Sequence, residues 1–153
     1  MSDGNNELKL KGFFPYRLSV LEKQVSEAVA AVYQEQHALT RYEWRVLAAL
    51  GQNYDVLSAK QIAAYTRMEK MQVSRAITRL KERDLLEQGS DQRDRRFSRV
   101  QLTEQGKALY RSITPDVLAR EQAILQGLSS DEREQLFGLL EKLEQHIEQL
   151  PSS

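Results

Sequence analysis

A mainly α-helical fold with one small β-hairpin is what this sequence predicts, and three observations carry the prediction. Apolar residues recur at helical spacing through most of the chain. Two capping boxes, Thr40-Arg-Tyr-Glu43 and Ser58-Ala-Lys-Gln61, place helix starts close together in its middle. An arginine-rich polar turn, Asp91-Gln-Arg-Asp-Arg-Arg96, lies between two short strand-like runs. Together they describe a winged helix-turn-helix domain with a β-hairpin wing, framed by N- and C-terminal dimerisation helices.

The elements follow in order. Residues up to about 12 are mostly polar, as expected of a frayed tail. Leu18, Leu21, Val25, Ala28, Val29 and Val32 then mark an amphipathic helix from about Pro15 to Gln36, with the proline in the first turn. Thr40 and Glu43 start a second helix that buries Val46, Leu47 and Leu50, with Trp44 and Ala48 along one edge of that face. Ser58 and Gln61 open a short helix through Ile62, Ala63 and Ala64 that ends near Thr66. After a turn at Arg67-Met-Glu, a helix runs from about Lys70 to Arg83 and turns Val73, Ile77 and Leu80 to the core. Asp84 tolerates a left-handed backbone and closes it.

The hairpin pairs Leu85-Leu-Glu-Gln with Phe97-Ser-Arg-Val-Gln-Leu. From Thr103 to about Leu128 the pattern is helical again, and Pro115 is expected to bend or break it. Ser129-Ser-Asp-Glu132 caps a last helix, where Leu136, Leu140, Leu143, Ile147 and Leu150 form a short heptad seam. A helix lying on its own domain's core has the same pattern. An intermolecular seam is favoured because a compact winged module can hardly cover both terminal helices.

Composition narrows the function. The chain of 153 residues fits one domain, or a small domain with dimerisation helices at its ends. Net charge is zero, but residues 60–99 hold 11 Lys/Arg against 6 Asp/Glu, and the remainder holds 11 against 16. A basic module in an acidic frame suits a docked polyanion, although clustering on a solvated surface gives the same count. There is no cysteine, which excludes disulfides and thiol redox switching. His37 and His146 have no ligand-spaced partner, so neither a metal nor any other cofactor is expected. No apolar run approaches a membrane span, and no basic leader precedes an apolar core, so a cytoplasmic location is expected. Nucleophile–base pairs and phosphate-binding glycine loops do not stand out, and no enzyme is predicted.

The chemistry lies between residues 58 and 106. The faces of the 70–83 helix turned away from the core carry Lys70, Gln72, Ser74, Arg75, Thr78 and Arg79. These types read base edges and hold phosphates. A basic amphipathic helix is by itself a common solvated surface. Preceded by a short capped helix and followed by an arginine-rich hairpin with Arg93, Arg95 and Arg96, it becomes a candidate for docking on duplex DNA.

With these residues in view, the sequence resembles the MarR family of bacterial winged-helix regulators. The resemblance rests on Leu39-Thr-Arg-Tyr-Glu-Trp-Arg-Val-Leu47, Gln61-Ile-Ala, Val73-Ser-Arg-Ala-Ile-Thr-Arg-Leu80 and Asp94-Arg-Arg-Phe-Ser-Arg-Val-Gln-Leu-Thr-Glu-Gln-Gly106. It covers about residues 15 to 150, and the Asp-x-Arg…Leu-Thr…Gly run is its specific part. It implies a homodimer with interleaved first and last helices. The 70–83 helix would enter the major groove, Arg96 would reach the minor groove, and Asp94 would brace the wing by pairing with that arginine. An arginine there is physically sensible, since a narrow minor groove has a strong negative potential. Three positions depart from the pattern: Asp84 and Arg67 stand where glycine is common, and Met71 stands where Ser or Thr often begins the recognition helix.

The resemblance also implies a small aromatic or phenolic acid as effector, with Tyr16, Arg17, Trp44 and Arg45 as candidate residues and Phe13 and Phe14 nearby. An arginine would pair the carboxylate. Ordinary core aromatics and surface ion-pair arginines are the alternative. The domain division is then 1–37 for the tail and first dimerisation helix, 38–103 for the winged DNA-binding domain, and 104–153 for the C-terminal dimerisation helices. The predicted function is a sequence-specific DNA-binding regulator, a repressor acting as a homodimer on a pseudo-palindromic operator. Its rival is a winged-helix protein-interaction module without DNA binding.

Overall fold

The computed structural model describes residues 7–90 and 98–152. A single turn of 3-10 helix, Leu10–Gly12, precedes α1 (Phe14–Ala30), which holds Pro15 in its first turn as the sequence predicts. The end of α1 widens into a π-helical segment, Ala31–Glu35, that spacing alone did not announce. Only this end is packed: Ala30, Val32 and Tyr33 are buried, while Leu18, Leu21 and Val25 are 47%, 56% and 37% exposed.

Both predicted capping boxes are present. Thr40 Oγ1 accepts the Glu43 N–H at 3.2 Å, and Glu43 Oε2 accepts the Thr40 N–H at 2.6 Å, starting α2 (Arg41–Gly51). Ser58 and Gln61 repeat the exchange at 3.1 and 2.9 Å to start α3 (Ala59–Thr66). Each box satisfies two N–H groups that the first turn of a helix leaves without intrahelical partners. α4 spans Lys70–Glu82. Val46, Leu47 and Leu50 of α2 meet Ile62 of α3 and Val73, Ile77 and Leu80 of α4 in one core. Full burial of side chains this size contributes about 1.5–3 kcal/mol each.

The sheet has three strands, one more than expected. Besides β2 (Leu86–Ser90) and β3 (Ser98–Leu102), the two residues β1 (Leu57–Ser58) pair antiparallel with β3, giving the order β1-β3-β2. Leu57 lies opposite Val100, and β2 pairs β3 from Leu86↔Leu102 to Ser90↔Ser98. Ser58 therefore ends a strand and caps a helix at once.

α5 runs unbroken through Glu104–Leu125 with Pro115 inside, so the proline does not end the helix. It removes one ladder bond, and the turn before it is held on other terms. Ile113 is completely buried, and Thr114 Oγ1 donates to the Tyr110 carbonyl at 2.6 Å.

Two compact units divide between Val117 and Leu118. In the second, Ser129 and Glu132 cap α6 (Ser130–Gln149), and the Ser129 N–H holds the Glu132 carboxyl below its usual pKa range. Arg133 Nε donates to the Leu125 carbonyl at 2.9 Å, satisfying one of the last acceptors of α5. The heptad residues Leu136, Leu140, Leu143, Ile147 and Leu150 remain 37–58% exposed. No helix among the described residues is long and apolar enough to cross a membrane.

Candidate nucleic-acid interface

α3 and α4 are joined by a short turn whose geometry is set by local bonds. Thr66 Oγ1 donates to the Ile62 carbonyl at 2.7 Å and accepts the Met68 N–H at 3.3 Å. Arg67 takes the left-handed conformation, φ 56°, that a glycine would adopt at lower cost. Met68 is buried and anchors the turn to the core. The start of α4, left in doubt by Met71, is closed by Gln72, whose Oε1 accepts the Glu69 N–H at 3.0 Å.

Val73, Ala76, Ile77 and Leu80 hold α4 against the core. That leaves Lys70, Ser74, Arg75, Thr78 and Arg79 exposed, as the periodicity predicts. Among the described residues no hydrogen bond or ion pair engages Lys70, Arg75 or Arg79. Thr78 Oγ1 donates to the Ser74 carbonyl at 3.0 Å, which orients it along the helix. Gln72 differs from the rest. It is half-buried with its amide oxygen in the cap, so bidentate reading of adenine, which needs that oxygen, would release the cap.

Two further cations, at the end of α4, are bonded to the scaffold. Lys81 Nζ donates to Gln88 Oε1 at 2.9 Å, tying α4 to β2. Arg83 donates to the carbonyls of His37 and Ala38 at 3.0 and 3.3 Å, pinning the end of α4 to the loop before α2. Asp84 has φ 58°, the left-handed turn expected of it, and its carbonyl accepts from Thr103 Oγ1 at 2.6 Å. Thr103 N–H donates to the Leu85 carbonyl at 3.1 Å, and Thr103 Oγ1 accepts the Gly106 N–H at 3.0 Å. The base of the wing is thereby fixed to the end of α4. Gln101 Nε2 and Glu87 Oε1, opposite one another on β3 and β2, bond across the hairpin at 2.7 Å. Arg93, Asp94, Arg95 and Arg96 lie outside the described residues.

The four candidate effector residues fall in two separate hollows. Tyr16 and Arg17 line a groove along α1 with Lys11, Phe14 and Gln24. Trp44 and Arg45 line another with Ala48, Gln52 and Tyr65. The Trp44 ring stacks on Tyr33 at 5.8 Å between centroids and on Tyr110 at 6.1 Å, an aromatic triple stack. Gly51 makes room for it, since a Cβ there would meet the Tyr110 ring at 2.6 Å. Burial pushes the Tyr33 phenol above its ordinary pKa, against the opposing pull of Arg45 and Arg41. A third groove, of about 660 Å³, runs between α1 and the start of α2 past Glu22, Lys23, Tyr33 and Arg41. Tyr33, Tyr110 and Arg41 were not singled out in the sequence, and nothing local relates Tyr110 to the other two. Among the described residues no group of three or more His, Asp or Glu is placed to hold a metal ion.

The sequence model of the MarR family matches residues 38–96, from the loop before α2 to the wing. Among solved structures, Bordetella bronchiseptica BpsR, whose DNA binding is regulated by 6-hydroxynicotinic acid, superposes with a TM-score of 0.82 at 26% identity, over 91% of this chain and 98% of that one. The MarR-family regulator SPO1453 from Silicibacter pomeroyi gives 0.77 at 27% identity, over 92% and 99%. S. aureus MepR, solved in complex with DNA, gives 0.79 at 24% identity over 88% and 98%, a likeness of fold. By the sequence match through residues 38–96 and the likeness of fold over nine-tenths of its length, the chain is similar to winged-helix transcriptional regulators of the MarR family.

Proposed function

We propose that this protein is a sequence-specific DNA-binding transcriptional repressor that acts as a homodimer on a pseudo-palindromic operator in the cytoplasm. The observation that carries the reading is the outward face of α4, where Lys70, Arg75 and Arg79 are exposed while Lys81 and Arg83 are spent on scaffold bonds. Three cations without a partner among the described residues, on a rigidly held helix, are a poor arrangement for stability and a good one for phosphates and guanine edges. Residues 38–103 would bind DNA, with α4 in the major groove and the arginines of the wing, Arg93, Arg95 and Arg96, on the flanking backbone and minor groove. Residues 1–37 and 104–153 would form the dimer, whose cover the exposed apolar rows of α1 and α6 call for.

BpsR responds to a pyridine carboxylic acid, which supports an aromatic acid as effector here. Such a ligand acts only through different affinity for DNA-competent and DNA-incompetent dimers. Trp44 fluorescence reports on it, because this only tryptophan stacks between two tyrosines beside Arg45.

Titration with duplexes selected from a random pool, at two salt concentrations, tests the main reading. Tight binding to a selected inverted repeat, with affinity falling steeply as salt rises, is expected. Equal, weak affinity for selected and scrambled duplexes would overturn sequence-specific binding and leave the winged fold as a protein-interaction module.

A further inference from the structure

Met71 is the second residue of α4, and 64% of it is exposed. It is the large apolar side chain on the exposed face of this helix, three and four residues before Ser74 and Arg75 and seven before Thr78. Its backbone position is settled by the Gln72–Glu69 cap and by burial of Val73, so Met71 contributes neither to capping nor to the core. Helical side chains point back toward the N-terminus, which aims the thioether beyond the leading end of α4. In a recognition helix that end meets the base edges.

Resting on the DNA-binding reading above, we propose that Met71 determines sequence specificity by packing against the C5-methyl group of a thymine in the major groove. The chemistry selects this partner. A thioether is at most a weak acceptor, so it reads no hydrogen-bonding edge well. The thymine methyl is the one apolar group that a base pair displays in the major groove. Covering it removes two apolar surfaces from water, whereas a cytosine at that position would leave its amino group desolvated without an acceptor. Lys70, Arg75 and Arg79 around Met71 are exposed cations that hold the flanking phosphates and bases and so bring the helix close enough for contact. Where Ser or Thr would bond a phosphate, Met71 exchanges a contact without sequence information for one with it.

The test compares the full-length protein with Met71→Ala and Met71→Leu on a selected duplex whose thymines are replaced one at a time by deoxyuridine. That exchange deletes only the methyl group. The parent protein and Met71→Leu should each lose affinity about fourfold at one thymine of each half-site, the worth of one buried methyl group. Met71→Ala should bind the thymine and uracil duplexes equally at that position and still prefer the selected sequence elsewhere. If the parent is indifferent to every such replacement, or if Met71→Ala keeps the same fourfold loss at the same thymine, the inference is wrong while the DNA-binding reading stands. If no duplex is bound specifically, both fall together.

Discussion

Gly106 lies in the first turn of α5, where the chain leaves β3 and the wing is joined to the end of α4. A Cβ on this residue would collide with the carbonyl oxygen of Leu85, a backbone atom that cannot rotate away and that already accepts the Thr103 N–H at 3.1 Å. Three effects set the outcome of Gly106→Ala. Helix propensity favours alanine by about 1 kcal/mol. Overpacking against fixed backbone costs about 1–3 kcal/mol or more, and displacing the Leu85 carbonyl weakens a hydrogen bond worth about 1 kcal/mol. The clash wins, with a net loss of about 1–3 kcal/mol. For a chain of this length that is a melting temperature lower by roughly 2–12 °C.

Gly138→Ala is the matched control. It sits in α6, where a Cβ would meet nothing within 4 Å among the protomer's described residues, so the propensity term dominates within the protomer and should raise the melting temperature by about 2–4 °C. Both variants and the parent are melted at one protein concentration, because the stability of the proposed dimer would depend on it. Salt-dependent duplex binding of Gly106→Ala should also weaken, since the wing base moves relative to α4. A melting temperature for Gly106→Ala at or above the parent's would show that the β3–α5 junction is not packed as described.

Three further outcomes are expected. Arg75→Ala and Arg79→Ala should each weaken operator binding by about 1–3 kcal/mol and relax preference at one base position; full affinity and preference in both would mean that α4 is not the reading helix. Arg96→Ala should flatten the salt dependence of log K by roughly one unit, whereas Asp94→Ala should weaken binding although it removes a negative charge; tighter binding by Asp94→Ala would rule out the brace. Leu140→Glu with Leu143→Glu places charges on the exposed heptad face while keeping good helix formers, and sedimentation should show monomers that no longer bind operator; an intact dimer would move the interface elsewhere.

How much was legible beforehand depends on how far each interaction reaches along the chain. The caps at Thr40, Ser58 and Ser129 involve partners three residues away, so the residue types themselves announce them. Gln72 is instructive because its partner is equally near, yet Glu69 is not a usual cap residue, and the glutamine read more naturally as a base contact. Pro115 was expected to bend or break its helix, and α5 is not broken there; Ile113, two residues before it, is buried in a core that the local sequence does not describe.

By itself the sequence determined the helices, the core face of α4, the left-handed turn at Asp84 and, Gln72 apart, the residues that face outward from α4. All of these follow from periodicity and short-range bonding, which are properties of adjacent residues. Only the tertiary structure decided which of the outward cations have partners among the described residues. Lys81 and Arg83 look the same as Arg75 and Arg79 in the sequence, and distant acceptors on Gln88, His37 and Ala38 engage them in hydrogen bonds at the surface. The same holds for the third strand, where Leu57 finds Val100, and for the stack of Tyr33, Trp44 and Tyr110. Each of these brings together residues whose meeting is set by chain closure around a common core, so no local pattern encodes it.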